Sequence, residues 1–233
     1  MRVRRVVTTR AGGRSTGPFA RFNLSVGVGD DPLAVAANRR RLATELGVRG
    51  VVFLDQVHGT GVAVVDAVPG PRDRDRPASD AAVTALPGVA LAVLTADCVP
   101  VLLADTTAGI AAVAHAGRKG MVAGVARAAA EAMMALGATD IVARLGPSVC
   151  PRCYPVPLEL REQAAQVHAE TRSVDRFGAP AIDVAAGVLA QLAPLCSSVQ
   201  QVPGCTAEHP DLYSYRRDGV TGRFAGAVVL QAA

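Results

Sequence analysis

Three short strings hold the residue types that bind metals or attack carbon: His58 in QVHGTGV, Cys98 in TADCVPVLL and His115 in AVAHAGRKG. Each lies just beyond or between apolar runs, where strand ends open onto a surface and side chains distant in sequence can converge. Two imidazoles and one thiolate suit Zn²⁺, and three protein ligands with a fourth position open is the pattern of catalytic zinc. Zinc would hold Cys98 as its thiolate. The same residues have a plainer reading, an inert buried thiol and two hydrogen-bonded structural histidines. A third reading needs no metal: Cys98 as nucleophile and His115 as its base, in a hydrolase acting on acyl or amide bonds.

Other strings are weaker. Cys150 and Cys153 form a C-x-x-C in GPSVCPRCYPV, a spacing used for redox or metal work. No second pair follows at zinc-ribbon spacing, and Pro147 and Pro151 stiffen the stretch. The expectation is a structural loop lining a pocket, dispensable for metal binding, with Cys196 and Cys205 as ordinary thiols. In CTAEHPDLYSYRRDGVTGR, Arg216, Arg217 and Arg223 could grip phosphate through bidentate contacts, or simply pair with Asp211 and Asp218. Arg10 and the glycine amides of TTRAGGRS suit an anion or a plain turn. His168 and His209 read as surface residues.

The chain around these residues has 233 positions, 50% of them hydrophobic, enough for a sizeable core. Aromatic residues are only 3% and Trp is absent, so Ala, Val and Leu do the packing. Net charge is +4 without a long basic run, which suits an anionic small substrate better than nucleic acid. Lys119 is the only lysine, so an arginine here carries little information by its type alone. The basic start, Met1 to Arg10, has no apolar stretch behind it, and the expectation is a cytoplasmic protein with reduced thiols. Val89 to Ala104 is interrupted by Thr95, Asp97 and Pro100, too broken for a membrane span.

Strands are expected at Val3–Thr8, Val51–Leu54, Val62–Asp66, Val89–Leu94, Val99–Ala104, Ile110–Ala114, Ile141–Leu145 and Phe224–Leu230. The second and third flank a turn at His58–Gly61. A helix starts at Asp30, Asp31 and Pro32, buries Val35, Leu42 and Leu46, and stops at Gly47. Further helices are expected over Met121–Leu136 (Val122, Val125, Ala129, Met133 and Leu136 on one face), Leu158–Thr171 and Ile182–Leu192. Residues 11–18 read as a Gly-rich loop and residues 69–79 as a flexible surface loop. Several strands follow one another without a helix, which favours an α/β or α+β domain with mixed sheets over a doubly wound nucleotide fold.

TTRAGGRS, FNLSVGVGDDP, LDQVHGTGV, SDAAVT, LTADCVPVLLAD, AVAHAGRKG, LGPSVC and SYRRDGVTGR occur together and in order. In this the chain resembles the YfiH-like family, from about Thr8 to Arg223. That family is described variously as polyphenol oxidases or laccases, purine nucleoside phosphorylases and peptidoglycan editing factors. The resemblance implies one domain over residues 1–233, α/β/β/α in its layers, with a zinc site between the sheets formed by His58, Cys98 and His115. It implies phosphorolysis of adenosine, inosine, guanosine or methylthioadenosine, with inorganic phosphate as co-substrate, and deamination of adenosine. Arg10 and Arg217 are then the expected phosphate holders, Asn23 a ribose or base contact, and Asp80 an orienter of a zinc histidine. The alternatives are a Cys98/His115 hydrolase editing peptidoglycan precursors and slow phenol oxidation by copper in the same ligand set. A full multicopper centre needs about eight further imidazoles, and only two of the four histidines remain. The chain departs from the family pattern at Arg118–Lys119 after AHAG, at Pro155 after Cys153–Tyr154, and in its extra Cys150. Neither nucleic acid nor membrane is an expected partner, and the oligomeric state is left open.

Overall fold

Asp31, Pro32 and Gly47 bound the first helix, α1 (Pro32–Leu46), as their chemistry directs. The Asp31 carboxylate accepts the amide of Leu33, Pro32 gives up a donor that the first turn would leave unpaired, and Gly47 closes the end in a left-handed conformation. The computed structural model describes residues 1–68 and 78–231, so most of the 69–79 loop lies outside the described residues. Within them run twelve strands: β1 (Arg2–Val7), β2 (Gly50–Phe53), β3 (Val62–Val64), β4 (Ala81–Thr84), β5 (Val89–Thr95), β6 (Val99–Asp105), β7 (Ile110–Ala116), β8 (Val142–Leu145), β9 (Arg172–Val174), β10 (Pro180–Ile182), β11 (Ser198–Gln201) and β12 (Phe224–Gln231).

Two mixed sheets result. The first has the order β1-β12-β5-β2 and the second β11-β8-β6-β7-β4-β3, with β9 and β10 as a small separate pair. The β2–β5, β3–β4 and β11–β8 pairs are parallel. The sheets stack face to face. Leu91, Val93, Val228 and Leu230 of the first meet Leu102, Ala104, Ala111 and Val113 of the second. The alternate residues point outward, as the two-residue period requires. Leu42 and Leu46 of α1 cover Ala90, Ala92, Ala225 and Ala227. On the far side, α2 (Arg118–Ala123), α3 (Val125–Ala135), α4 (Leu158–Val167) and α5 (Val184–Leu192) cover Val101, Leu103, Ala112 and Ala114. The layers are therefore α/β/β/α, and the central strands are apolar on both faces because both faces are buried. A one-turn α6 (Tyr215–Asp218) precedes the last strand.

The structure corrects several expected elements. Val51–Leu54 and Val62–Asp66 do not pair: β2 lies in the first sheet and β3 in the second, so the intervening segment crosses between sheets. The helix expected over Met121–Leu136 breaks at Gly124, whose φ of +96° no side-chain-bearing residue adopts cheaply. Leu136, expected to be buried, is 45% exposed. The helix from Leu158 ends at Val167, followed by a 3-10 turn over Ala169–Thr171. Among the described residues no helix is long and apolar enough to cross a membrane.

Asp105, at the end of β6, is buried and accepts four backbone amides: Thr107 and Ala108 on Oδ1, Thr139 and Asp140 on Oδ2. Burial pushes its carboxyl up, but the four N–H groups outweigh that and hold it below the usual range. A lowered folded-state pKa gives stability that is complete above the unfolded value, about 3.9, and lost as pH falls through the folded one. Asp105→Asn turns an amide NH₂ toward two of these donors. We expect it to cost about 2–4 kcal/mol at neutral pH and to reduce the further loss on acidification, both read from denaturant titrations at two pH values.

Candidate metal centre and its cavity

β2 and β5 lie side by side and parallel, with Phe53 opposite Ala92. The chain therefore leaves both strands at the same end of the first sheet and crosses to the second. His58 lies on the first crossing, between β2 and β3, and Cys98 on the other, between β5 and β6. His115 stands near the end of β7, opposite Pro100 of β6. One ligand atom from each of the three lies within 4.8 Å of the others. Cys98 Sγ is 3.9 Å from His58 Nε2, and the two imidazole rings meet edge to face with centroids 4.8 Å apart. His58 is exposed, Cys98 half-buried and His115 buried.

Asp80 fixes both histidines. Its Oδ1 accepts the His58 amide at 2.9 Å and pairs with His115 Nδ1 at 2.8 Å. Its Oδ2 accepts the amides of Val57 at 3.1 Å and Gly59 at 2.6 Å. With Nδ1 engaged, His115 has Nε2 left for a ligand. Burial pulls the His115 imidazole down, but the neighbouring Cys98 thiolate and Asp80 raise it to about 9. Burial likewise pushes the Cys98 thiol up, and His115 and His58 overcome that and bring it to about 6. The cluster thus favours a thiolate, the form that binds metals and attacks carbon.

Among the described residues His58 and Asp97 alone have positive φ without being glycine, 62° and 100°. Both sit at the cluster. Such backbone costs about 1–3 kcal/mol and persists where surroundings enforce it. Asp80 enforces it at His58. At Asp97 the carboxylate accepts Thr206 Oγ1, Ser214 Oγ and the Arg216 amide, each at 2.6 Å.

The cluster lines a cavity of about 600 Å³, which Tyr154, Tyr215, Arg39, Arg118, Arg216 and Arg223 also line. Arg216 lies over the Tyr154 ring at 4.7 Å and Arg39 over Phe53 at 4.0 Å. The Arg223 guanidinium donates to the carbonyls of Thr221 and Gly222. Arg118 is half-buried, with no hydrogen bond or ion pair of its guanidinium among the described residues.

Residues 4–231 match the family model of the multi-copper polyphenol oxidoreductase laccases. The chain belongs to this family. A Streptomyces coelicolor protein named purine nucleoside phosphorylase is 56% identical over 96% of this chain and 93% of its own length. One from Mycobacterium tuberculosis with the same name is 49% identical over 99% and 93%. Among solved structures, YlmD from Geobacillus stearothermophilus aligns with a TM-score of 0.86 at 31% identity, covering 99% of this chain and 92% of that one. Bacillus licheniformis YfiH aligns with a TM-score of 0.85 at 25% identity, covering 98% and 93%.

The family's multi-copper description does not fit this chain's histidines. His168 and His209 are the two outside the cluster, and neither lines its cavity. His168 is half-buried against Gln191, and His209 accepts the Asp211 amide.

Three residues expected to contact substrate lie outside the lining of this cavity. Asn23 is buried, and its amide is taken up by Ser25, Asp30 and the Arg223 backbone. Arg10 lies over Tyr213 and donates to the Ala20 carbonyl. Arg217 spends its donors on Asp218 and the carbonyls of Thr206, His209 and Leu212. None of them lines the cavity, and Asp80 lies behind it. Arg118 and Tyr154, which were not expected as substrate contacts, line it at the positions after AHAG and Cys153. The Cys150–Cys153 loop reaches the cavity through Val149 and Tyr154, not through its thiols.

Gly117 has ordinary backbone, but a Cβ there would lie 2.7 Å from His58 Cδ2 and 3.0 Å from Cys98 Sγ. Gly117→Ala should therefore spread the ligand atoms without straining the chain. We expect at least tenfold weaker metal retention against a competing chelator, with an unchanged melting temperature of the metal-free protein.

Proposed function

We propose that this protein is a zinc-dependent purine nucleoside phosphorylase, acting on adenosine, inosine, guanosine or methylthioadenosine, that also deaminates adenosine. The observation that carries this reading is the convergence of His58, Cys98 and His115 on an arginine-rimmed cavity of about 600 Å³. That volume is ordinary for a small-molecule site, roughly 300–1,000 Å³. The relatives' name supports the substrate class.

The donor set fits zinc: two imidazole nitrogens and a thiolate whose ligand atoms already lie within 4.8 Å. Zinc held by these residues would supply Lewis acidity and a water of lowered pKa. The chain's own groups do the rest. Asp80 holds the His115 ring in the orientation that frees Nε2. Arg118 and Arg216 are the cavity cations placed to hold inorganic phosphate. In phosphorolysis a phosphate oxygen bonds to ribose C1′ as the C1′–N9 bond breaks. Its electron pair leaves with the purine, which takes up a proton. In deamination water adds at C6 and ammonia leaves.

The deciding experiment combines metal analysis of protein purified without added metal with a nucleoside assay, with and without phosphate. Bound zinc and phosphate-dependent purine release are expected. Arg118→Ala should raise the KM for phosphate about tenfold and leave zinc content unchanged.

The Cys98/His115 hydrolase remains a second reading, favoured by the lowered thiol. It predicts an active protein that is indifferent to chelator.

A further inference from the structure

Cys205, expected to be an ordinary thiol, is not isolated, and a metal held with its neighbours would reverse the expectation that Cys150 and Cys153 are dispensable for metal binding. It lies on the loop after β11, where its backbone bridges Ser148, and its Sγ accepts the Cys150 amide at 3.3 Å. Cys150 precedes the 3-10 turn Pro151–Cys153 and Cys153 ends it, and the Cys153 thiol donates to Glu208 Oε1 at 3.4 Å. One ligand atom from each of Cys150, Cys153, Cys205 and Glu208 lies within 4.8 Å of the others, and all the cysteines are free. Four such ligands around zinc, at about 2.0–2.3 Å from the metal, stand about 3.3–3.8 Å from one another. Small side-chain rotations close that difference. The corner already draws a cation: Arg176 Nη2 contacts Cys153 Sγ and lies 2.9 Å from Glu208 Oε1. Arg176 sits beyond β9 on an exposed turn, where its side chain can swing clear.

We propose that Cys150, Cys153, Cys205 and Glu208 form a second metal site, structural and suited to zinc. Three thiolates and a carboxylate complete four-coordination, so no position is left open for substrate, as in structural zinc centres. The C-x-x-C supplies one half of the site and the loop after β11 the other. The metal would fasten these two loops together. The first loop carries Val149 and Tyr154 into the cavity wall. The second carries Thr206, which holds the carboxylate of Asp97 beside Cys98. The site would thus support the cavity without touching its contents.

The test is zinc per chain in full-length protein purified under reducing conditions, followed by replacement with Co²⁺ alone. Wild type is expected to hold two equivalents. Cys205→Ser and the Cys150→Ser, Cys153→Ser double variant should each hold one, and so should Cys98→Ala. The thiolate-to-cobalt absorption should survive mostly intact in Cys98→Ala and fall several-fold in Cys205→Ser. If Cys205→Ser does not fold, Cys153→Ser is read instead, and it should lose its second zinc to chelator at least tenfold more readily than wild type. Equal zinc in wild type and the thiol variants would overturn the proposal. So would a wild-type mass lower by two hydrogens with a single zinc, which would mark a disulfide in place of the metal.

Discussion

Replacing Cys98 by alanine should remove metal from the cluster, nucleoside turnover and thermal stability together. Two imidazoles remain, too few to hold zinc tightly. A ligand bound only by the folded state stabilises it by mass action, about 4 kcal/mol at a thousandfold excess over Kd. The mutant should therefore melt well below zinc-loaded wild type. After chelator treatment the two proteins should melt together, because what Cys98 contributes is then gone from both. A nucleophilic Cys98 behaves otherwise: turnover vanishes in the mutant while its melting temperature barely moves. A wild type that turns over substrate with no metal at the cluster would decide for the nucleophile.

The second large effect is expected at Asp80. Asp80→Ala leaves the amides of His58, Val57 and Gly59 and the His115 Nδ1 without their acceptor at a fully buried position. Unsatisfied buried donors cost about 1–3 kcal/mol each, with partial relief by water. We expect a total loss of about 3–5 kcal/mol by urea titration, of the order seen when one member of a buried pair is removed. Asp80→Asn keeps the shape and one acceptor oxygen. It should keep more of the stability, yet bind zinc about 10–100-fold more weakly, since His115 loses its carboxylate partner. A loss under about 1 kcal/mol in Asp80→Ala would show that the turn holding His58 stands without the carboxylate.

The cluster was legible because its residue types are scarce: with four histidines and five cysteines, a motif containing one stands out. Asp31, Pro32 and Gly47 were legible because each has a local job that needs no tertiary partner. The arginines were not. A chain whose cations are arginines almost without exception gives no hint whether Arg217 is consumed by carbonyls or Arg118 faces a cavity. That depends on how α2 and α6 sit against the sheets. Cys205 hid its neighbours for the same reason, since the bridge to Ser148 is made between distant parts of the chain. β4 escaped notice because Ala81–Thr84 is buried throughout, so its four residues show no alternation. The break at Gly124 was masked by the alanines on either side, which continue the helical pattern through it.

The crossings that carry His58 and Cys98 both spring from the first sheet, whereas His115 belongs to the second. A bond among the three side chains would therefore rivet one sheet to the other at the seam. A metal can join these three side chains only once the strands that carry them are in place. Interactions absent from the transition state slow unfolding and leave the folding rate nearly untouched. On this account a metal at the His58, Cys98 and His115 cluster would lengthen the lifetime of the folded molecule, and its loss would let the two sheets part sooner.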